Sequence, residues 1–128
     1  MEFLLDTHVF LWWMADDAKL SWTARTAIAN AENKVFVSAV SGWEIATKVR
    51  LGTLTLPETH DLFMLNALRG NTFGVLPITL AHTLREFRLP PHHPDPFDRL
   101  LVAQAKVEEV ALVTDDASVT QYNVRTLW

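Results

Sequence analysis

Short apolar runs of four or five residues alternate along this chain with longer segments of helical character. The first run, residues 2–5, stops at Asp6, and the run at residues 110–114 stops at Asp115 and Asp116. Parallel strands need crossover connections, which helices usually supply, so this alternation favours a mostly parallel sheet covered on both faces. We therefore predict an α/β fold with three layers, α/β/α, and about five strands in the central sheet.

The predicted strands are residues 2–5, 34–38, 73–76, 110–114 and 124–128. The predicted helices are residues 9–14, 23–33, 58–69 and 80–87, one from Ser38 or Ser41 to Leu51, one from Pro96, and a short one after Asp116. We expect Thr23 to cap the second helix. Gly52 is placed to stop the third.

Composition bounds the class of protein. The chain has 128 residues and no linker or repeat, which predicts a single domain over residues 1–128. It has no cysteine, which excludes disulfides and thiolate metal sites. The net charge is −4, whereas a nucleic-acid reader that works without metal is normally basic. The first residues lack the parts of a signal peptide, and no apolar run reaches the length of a membrane span. These features predict a cytoplasmic protein that does not cross a membrane.

Residues 94–105 form the most informative stretch. Pro96 suits the first position of a helix, because its missing N–H would be unpaired there. Asp95 is placed to cap that helix, whose following residues are apolar almost all round. Asp98 lies in the first helical turn, where the helix dipole alone would favour an acid.

Three further acids have both a functional and an ordinary interpretation. Asp6 and Asp116 follow strands, and the carboxyl ends of parallel strands form the edge where ligands bind in such sheets. Strand-end aspartates also cap turns. Glu44 completes a capping box with Ser41, unless the helix begins at Ser38 and Glu44 lies inside it.

Four carboxylates gathered in one place would repel one another and raise each other's pKa. A hard divalent cation relieves that repulsion, and oxygen ligands suit Mg²⁺ or Mn²⁺. Such ions support phosphodiester hydrolysis. The set Asp6, Glu44, Asp98 and Asp116 therefore indicates a metal-dependent hydrolase.

The chain resembles PIN-domain ribonucleases of the VapC toxin family from end to end. The matching pieces are Leu4–His8, Val37-Ser38 with Trp43–Ile45, His93–Ala105, and Leu112–Asp116. The resemblance implies a parallel sheet with the first strand central, one or two Mg²⁺ or Mn²⁺ ions, endonucleolytic cleavage of RNA, and an antitoxin partner. Position by position, it carries the metal-binding and catalytic roles to Asp6, Glu44, Asp98 and Asp116. Asp95 and Asp115 are the alternatives to the last two.

Several other residues carry expectations. We predict that His92 and His93 flank the RNA entrance and bind no metal. Arg99 could contact a phosphate, but we favour surface solvation or a structural ion pair. Trp43 is expected in the core. Lys48 and Arg50 either line an RNA path or belong to a solvated helix face.

Trp12 and Trp13 are neighbours on one helix, about 100° apart, so both cannot face inward. We expect at least one of them in an exposed apolar patch. This patch would make the first two helices a groove for an antitoxin segment or a dimer contact.

The sequence thus predicts a Mg²⁺- or Mn²⁺-dependent endoribonuclease, the toxin of a type II toxin–antitoxin pair and a homodimer. The alternatives are a PIN-domain nuclease in RNA processing or DNA cleavage, and a PIN domain that binds without catalysis. A phosphohydrolase with Asp6 as nucleophile is weaker, because His8 stands where such sites usually have a second acid.

Overall fold

Five parallel strands form one sheet in the order β3-β2-β1-β4-β5. The computed structural model describes residues 1–128. The strands are β1 (Glu2–Leu5), β2 (Lys34–Ser38), β3 (Gly74–Leu76), β4 (Ala111–Val113) and β5 (Thr126–Leu127). The predicted α/β fold with the first strand at the centre is confirmed.

Seven helices connect and flank the strands. They are α1 (Thr7–Ala15), α2 (Trp22–Ala29), α3 (Ala39–Arg50), α4 (His60–Gly70), α5 (Leu80–Phe87), α6 (Pro96–Glu108) and α7 (Ala117–Thr120). None of them combines the length and the apolar character that a bilayer crossing requires.

The side chains of β1 divide the interior into two apolar clusters. Phe3 and Leu5 point into a cluster of 14 buried residues that takes in side chains of α1 to α4. Leu4, between them, points to the other face and belongs to a cluster of 11 buried residues, most of them from α6 and its surroundings. This alternation is the two-residue period of a strand buried on both sides.

The start of α3 settles a question that the sequence left open, and the predicted cap and end of the second helix are wrong. α3 is capped by Ser38, whose hydroxyl accepts the Val40 N–H, so Glu44 lies inside the helix and the capping box with Ser41 does not form. α2 is capped by Ser21 rather than by Thr23, and it ends at Ala29, not near residue 33.

The tryptophans differ from expectation. Trp43 is 60% exposed, so its predicted place in the core is wrong. Trp12 and Trp13 are both half-buried: Trp12 packs near Trp128, and the Trp13 indole donates a hydrogen bond to Asn71. Neither therefore belongs to a fully exposed patch, although Trp12 lines a groove beside α1.

Candidate metal centre

Asp6 lies where β1 ends, beside the end of β4. Leu5 is paired with Val113, so the next residues of the two strands, Asp6 and Thr114, are neighbours. The Thr114 hydroxyl donates a hydrogen bond of 2.7 Å to Asp6 Oδ2, and the His8 N–H donates one of 3.0 Å to Oδ1. Burial raises the pKa of Asp6 above its usual value, although both hydrogen bonds oppose the shift.

Glu44 reaches the same edge of the sheet from α3. Its side chain is 1% exposed, and Lys48 Nζ lies 2.5 Å from Oε2. The other oxygen, Oε1, is buried and has no hydrogen-bond partner. A buried carboxylate oxygen without a partner costs free energy of about 1–3 kcal/mol or more. Because Ser41 is bonded instead to Thr7, nothing in the first turn of α3 satisfies that oxygen.

Asp98 lies in the first turn of α6 and is buried. Asp95 caps this helix by accepting the Phe97 N–H, as the sequence predicts. The pKa of Asp98 is raised to about 7, first by burial and then by the negative charges of Asp6, Asp95 and Glu44, while His93 opposes the rise. Burial and the charges of three neighbouring acids thus act in the same direction on the Asp98 carboxyl.

Asp116 caps α7 through Oδ1, which accepts the Ser118 N–H. Its Oδ2 lies 2.9 Å from Nε2 of His93. Burial is the largest influence on this carboxyl and raises its pKa, but the hydrogen bonds from His93 and Ser118 outweigh it, so the pKa lies below its usual value. Asp115, in contrast, is exposed and its side chain makes no hydrogen bond or ion pair in the protein.

His93 links the two acids of the second half of the chain. Its Nε2 is 2.9 Å from Asp116 Oδ2 and 3.1 Å from Asp98 Oδ2. Its Nδ1 accepts the Asp95 N–H, so in the neutral ring the proton is on Nε2. His93 thus lies at the candidate metal site, next to two of the predicted acids; that the two histidines flank the RNA entrance and bind no metal stays a prediction. His92 is exposed and stacks edge-on against Tyr122.

Arg99 is structural. It donates hydrogen bonds to the Glu86 carboxylate, to the Tyr122 hydroxyl and to backbone carbonyls of the segment that precedes α6. The predicted structural ion pair is present, with Glu86.

The four candidate acids do not all share one tight cluster. Potential ligand atoms of His93, Asp98 and Asp116 lie within 4.8 Å of one another. Asp6 and Glu44 are outside that group, yet their carboxylates are near enough for their charges to raise the pKa of Asp98. A divalent cation would give the unpartnered Oε1 of Glu44 a partner. It would also stabilise the charged forms of Asp6 and Asp98, whose pKa values are raised. The donor set therefore fits a hard cation.

Comparison with known proteins places the chain in a family. The profile of the PIN domain matches residues 3–124, so the chain is a PIN-domain protein. Ribonuclease VapC22 of Mycobacterium tuberculosis is 36% identical to it over 119 residues, which are 88% of this chain and 85% of the relative. Within the PIN-domain proteins, the chain belongs to the VapC family.

Solved structures have the same fold. One of them is a chain of VapBC2 from Rickettsia felis, solved with VapBC2 bound to a DNA fragment from its promoter. It aligns with a TM-score of 0.72 and 14% identity over 99% of this chain and 98% of that chain. A chain of VapBC-1 from nontypeable Haemophilus influenzae aligns with a TM-score of 0.67 and 15% identity, over 99% and 97%. At these identities the likeness concerns the fold alone.

Proposed function

We propose that this protein is a Mg²⁺- or Mn²⁺-dependent endoribonuclease, the toxin of a type II toxin–antitoxin pair. Its membership of the VapC family supports a nuclease. The observation that carries the metal dependence is the group of acids around Asp98, with a buried Glu44 oxygen that no protein group satisfies.

Asp6, Glu44, Asp98 and Asp116 would hold the ion. When bound, a divalent cation polarises the scissile phosphate and lowers the pKa of water. Thr114 keeps the Asp6 carboxylate in one orientation. His93 carries a proton on Nε2 between Asp98 and Asp116 and so fixes the distance between them. The reaction adds water across the P–O3′ bond and leaves a 5′-phosphate and a 3′-hydroxyl.

The proposed protein partner is an antitoxin. The structural relatives come from VapBC assemblies, one of them bound to promoter DNA. In this chain a groove of about 330 Å³ runs between α1 and the segment before α4. Its apolar lining suits the nonpolar side of an extended or helical antitoxin segment; it includes Leu11, Trp12, Leu54, Leu56 and Phe63.

We propose that two copies of the chain associate through α5. Leu80, Leu84 and Phe87 form an exposed stripe with the i, i+4, i+7 spacing of one helix face. Beside the stripe lies a mainly apolar hollow of about 220 Å³ between α5 and the aromatic pair Trp43 and Phe97. If two copies meet about a twofold axis, the stripe of each copy can pack into the hollow of the other.

The test of the activity is incubation of a mixed tRNA, rRNA and mRNA pool with Mg²⁺ or Mn²⁺, with and without EDTA, and mapping of the cut ends. We expect discrete cuts with 5′-phosphates that EDTA abolishes. Cleavage of DNA in a parallel reaction, but not of RNA, would instead support another nuclease task. No stimulated cleavage of either substrate would contradict the proposed activity.

A further inference from the structure

Lys48 is a cation inside an acidic site. It lies one helical turn after Glu44 on α3, and its Nζ is 2.5 Å from Oε2 of that buried carboxylate. The Lys48 side chain is 35% exposed, whereas that of Glu44 is 1% exposed. The ammonium group therefore lies at the boundary between the buried acids and solvent.

The pair differs from an ordinary i, i+4 salt bridge. Such pairs join two exposed side chains and contribute about 0.3–0.5 kcal/mol. Here the acid is buried, and the charges of Asp95 and Asp98 act on the same ammonium group. Arg50, two residues further on, has the ordinary surroundings: it is exposed and forms no ion pair. Helix α3 thus carries one cation directed into the site and one in solvent.

The ammonium group has donors to spare. A lysine offers three N–H donors, and the only hydrogen bond of Lys48 Nζ within the protein goes to Glu44. Because the Lys48 side chain is 35% exposed, a ligand can reach these remaining donors. A compact charge with free donors at the edge of an acidic site suits a phosphate oxygen.

The negative charge of a phosphodiester substrate explains why an accessible cation is useful at this site. A phosphodiester that approaches Asp6, Glu44, Asp98 and Asp116 is repelled by their charges, and the chain as a whole has a net charge of −4. Arg99, the other cation next to a site acid, is occupied by Glu86, Tyr122 and backbone carbonyls. Among the lysine and arginine side chains at this site, Lys48 is the one that remains accessible to a ligand.

We propose that Lys48 binds an RNA phosphate: its ammonium group holds Glu44 through Oε2, leaves Oε1 for the divalent cation, and donates its other hydrogens to a non-bridging phosphate oxygen. This role rests on the proposed function, because the ligand is the RNA substrate of the same site. It makes Lys48 a substrate-binding residue in addition to the four acids.

The test is binding of a short fluorescent single-stranded RNA in EDTA, followed by anisotropy at several salt concentrations. Lys48→Gln removes the charge but keeps an N–H donor for Glu44. We expect it to bind about tenfold more weakly than the wild type. The slope of log affinity against log salt should become shallower by about 0.7, the value for one lost phosphate contact on a single strand. Lys48→Arg should retain most of the affinity.

Arg50→Gln is the matched control, since it removes the same charge from the same helix at an exposed position. We expect its affinity and salt slope to equal those of the wild type. Titration with Mn²⁺ supplies a second readout. If Lys48→Gln weakens Mn²⁺ binding but leaves RNA binding and its salt slope unchanged, Lys48 serves Glu44 alone and the proposal is overturned.

Folding is checked by circular dichroism. If Lys48→Gln does not fold, Glu44→Gln is added to it, because this second substitution removes the uncompensated buried charge. The double variant is then compared with Glu44→Gln alone, and an equal salt slope of RNA binding in these two proteins overturns the proposal. A wild-type chain that binds RNA but shows no Mg²⁺- or Mn²⁺-stimulated cleavage contradicts the proposed activity and leaves the Lys48 result valid. A wild-type chain that does not bind RNA overturns the Lys48 assignment.

Discussion

The Thr114 hydroxyl donates a 2.7 Å hydrogen bond to the Asp6 carboxylate, although the two residues are 108 positions apart in the chain. The contact exists because β1 and β4 are parallel neighbours that end at the same edge of the sheet. The hydrogen bond connects Asp6, the first of the four candidate acids, to the end of β4, the strand that precedes Asp116.

Thr114→Val keeps the shape of this side chain but removes the hydroxyl, which donates to Asp6 and accepts the Asp116 N–H. A hydrogen bond to a charged group contributes about 1.5–3 kcal/mol, so we expect the free energy of unfolding in EDTA at neutral pH to fall by roughly 2 kcal/mol. Urea denaturation measures this. Thr120→Val, at an exposed position, should change it by less than about 0.5 kcal/mol. Equal effects of the two substitutions would contradict a special role for Thr114.

The pKa of Asp98 makes stability depend on pH. The unfolded chain loses this proton near the ordinary value of 3.8, and the folded chain only near about 7. Between these values the folded state binds more protons, so the Asp98 contribution is complete below 3.8 and is lost as pH rises through about 7. We expect the free energy of unfolding in EDTA to fall across this window, at most ~1.4 kcal/mol per pH unit from this group. Asp98→Asn should flatten the fall, and a variant that keeps the wild-type slope would refute the assignment.

His93 and His92 offer a paired test of the link between Asp98 and Asp116. His93→Gln removes the imidazole that lies 2.9–3.1 Å from both carboxylates, and we expect Mn²⁺ affinity to fall by at least about tenfold. His92→Gln changes an exposed ring and should leave it unaltered. Calorimetric titration measures both. Indistinguishable affinities would mean that His93 does not support the site.

The α5 face predicts the oligomeric state. Leu84→Glu places a charge in the middle of the exposed stripe, and we expect it to convert a dimer into a monomer in sedimentation experiments. Leu65→Glu, at a comparably exposed position on α4, should remain dimeric. A monomeric wild type, or a dimer that survives Leu84→Glu, would rule out this interface.

Much of the fold could be predicted from local patterns in the sequence. The β1 residues Phe3, Leu4 and Leu5 are all apolar because both faces of the strand are buried, and the run of apolar residues alone is enough to indicate such a strand. The cap at Asp95 follows in the same way from its place before Pro96. The single-domain organisation and the cytoplasmic location stay predictions.

What the sequence did not disclose depends on contacts between distant segments. His93 lies next to Asp116 only because the loop before α6 folds over the start of α7. Its neighbour His92 belongs to the same pair of histidines but is exposed and contacts neither acid. Trp43 is exposed, although large aromatic residues are usually buried. Its exposure depends on the neighbouring helix α5, which leaves a hollow beside Trp43, and no local sequence pattern predicts that arrangement.

The central claim is that Asp6, Glu44, Asp98 and Asp116 together hold a divalent cation, and Mn²⁺ titration followed by calorimetry tests it most directly. We expect saturable binding by the wild type and a loss of at least about tenfold in affinity in each of Asp6→Asn, Glu44→Gln, Asp98→Asn and Asp116→Asn. Asp115→Asn, one residue from the site and exposed, should bind like the wild type. Binding that is absent in the wild type, or unchanged in the four variants, would contradict the claim.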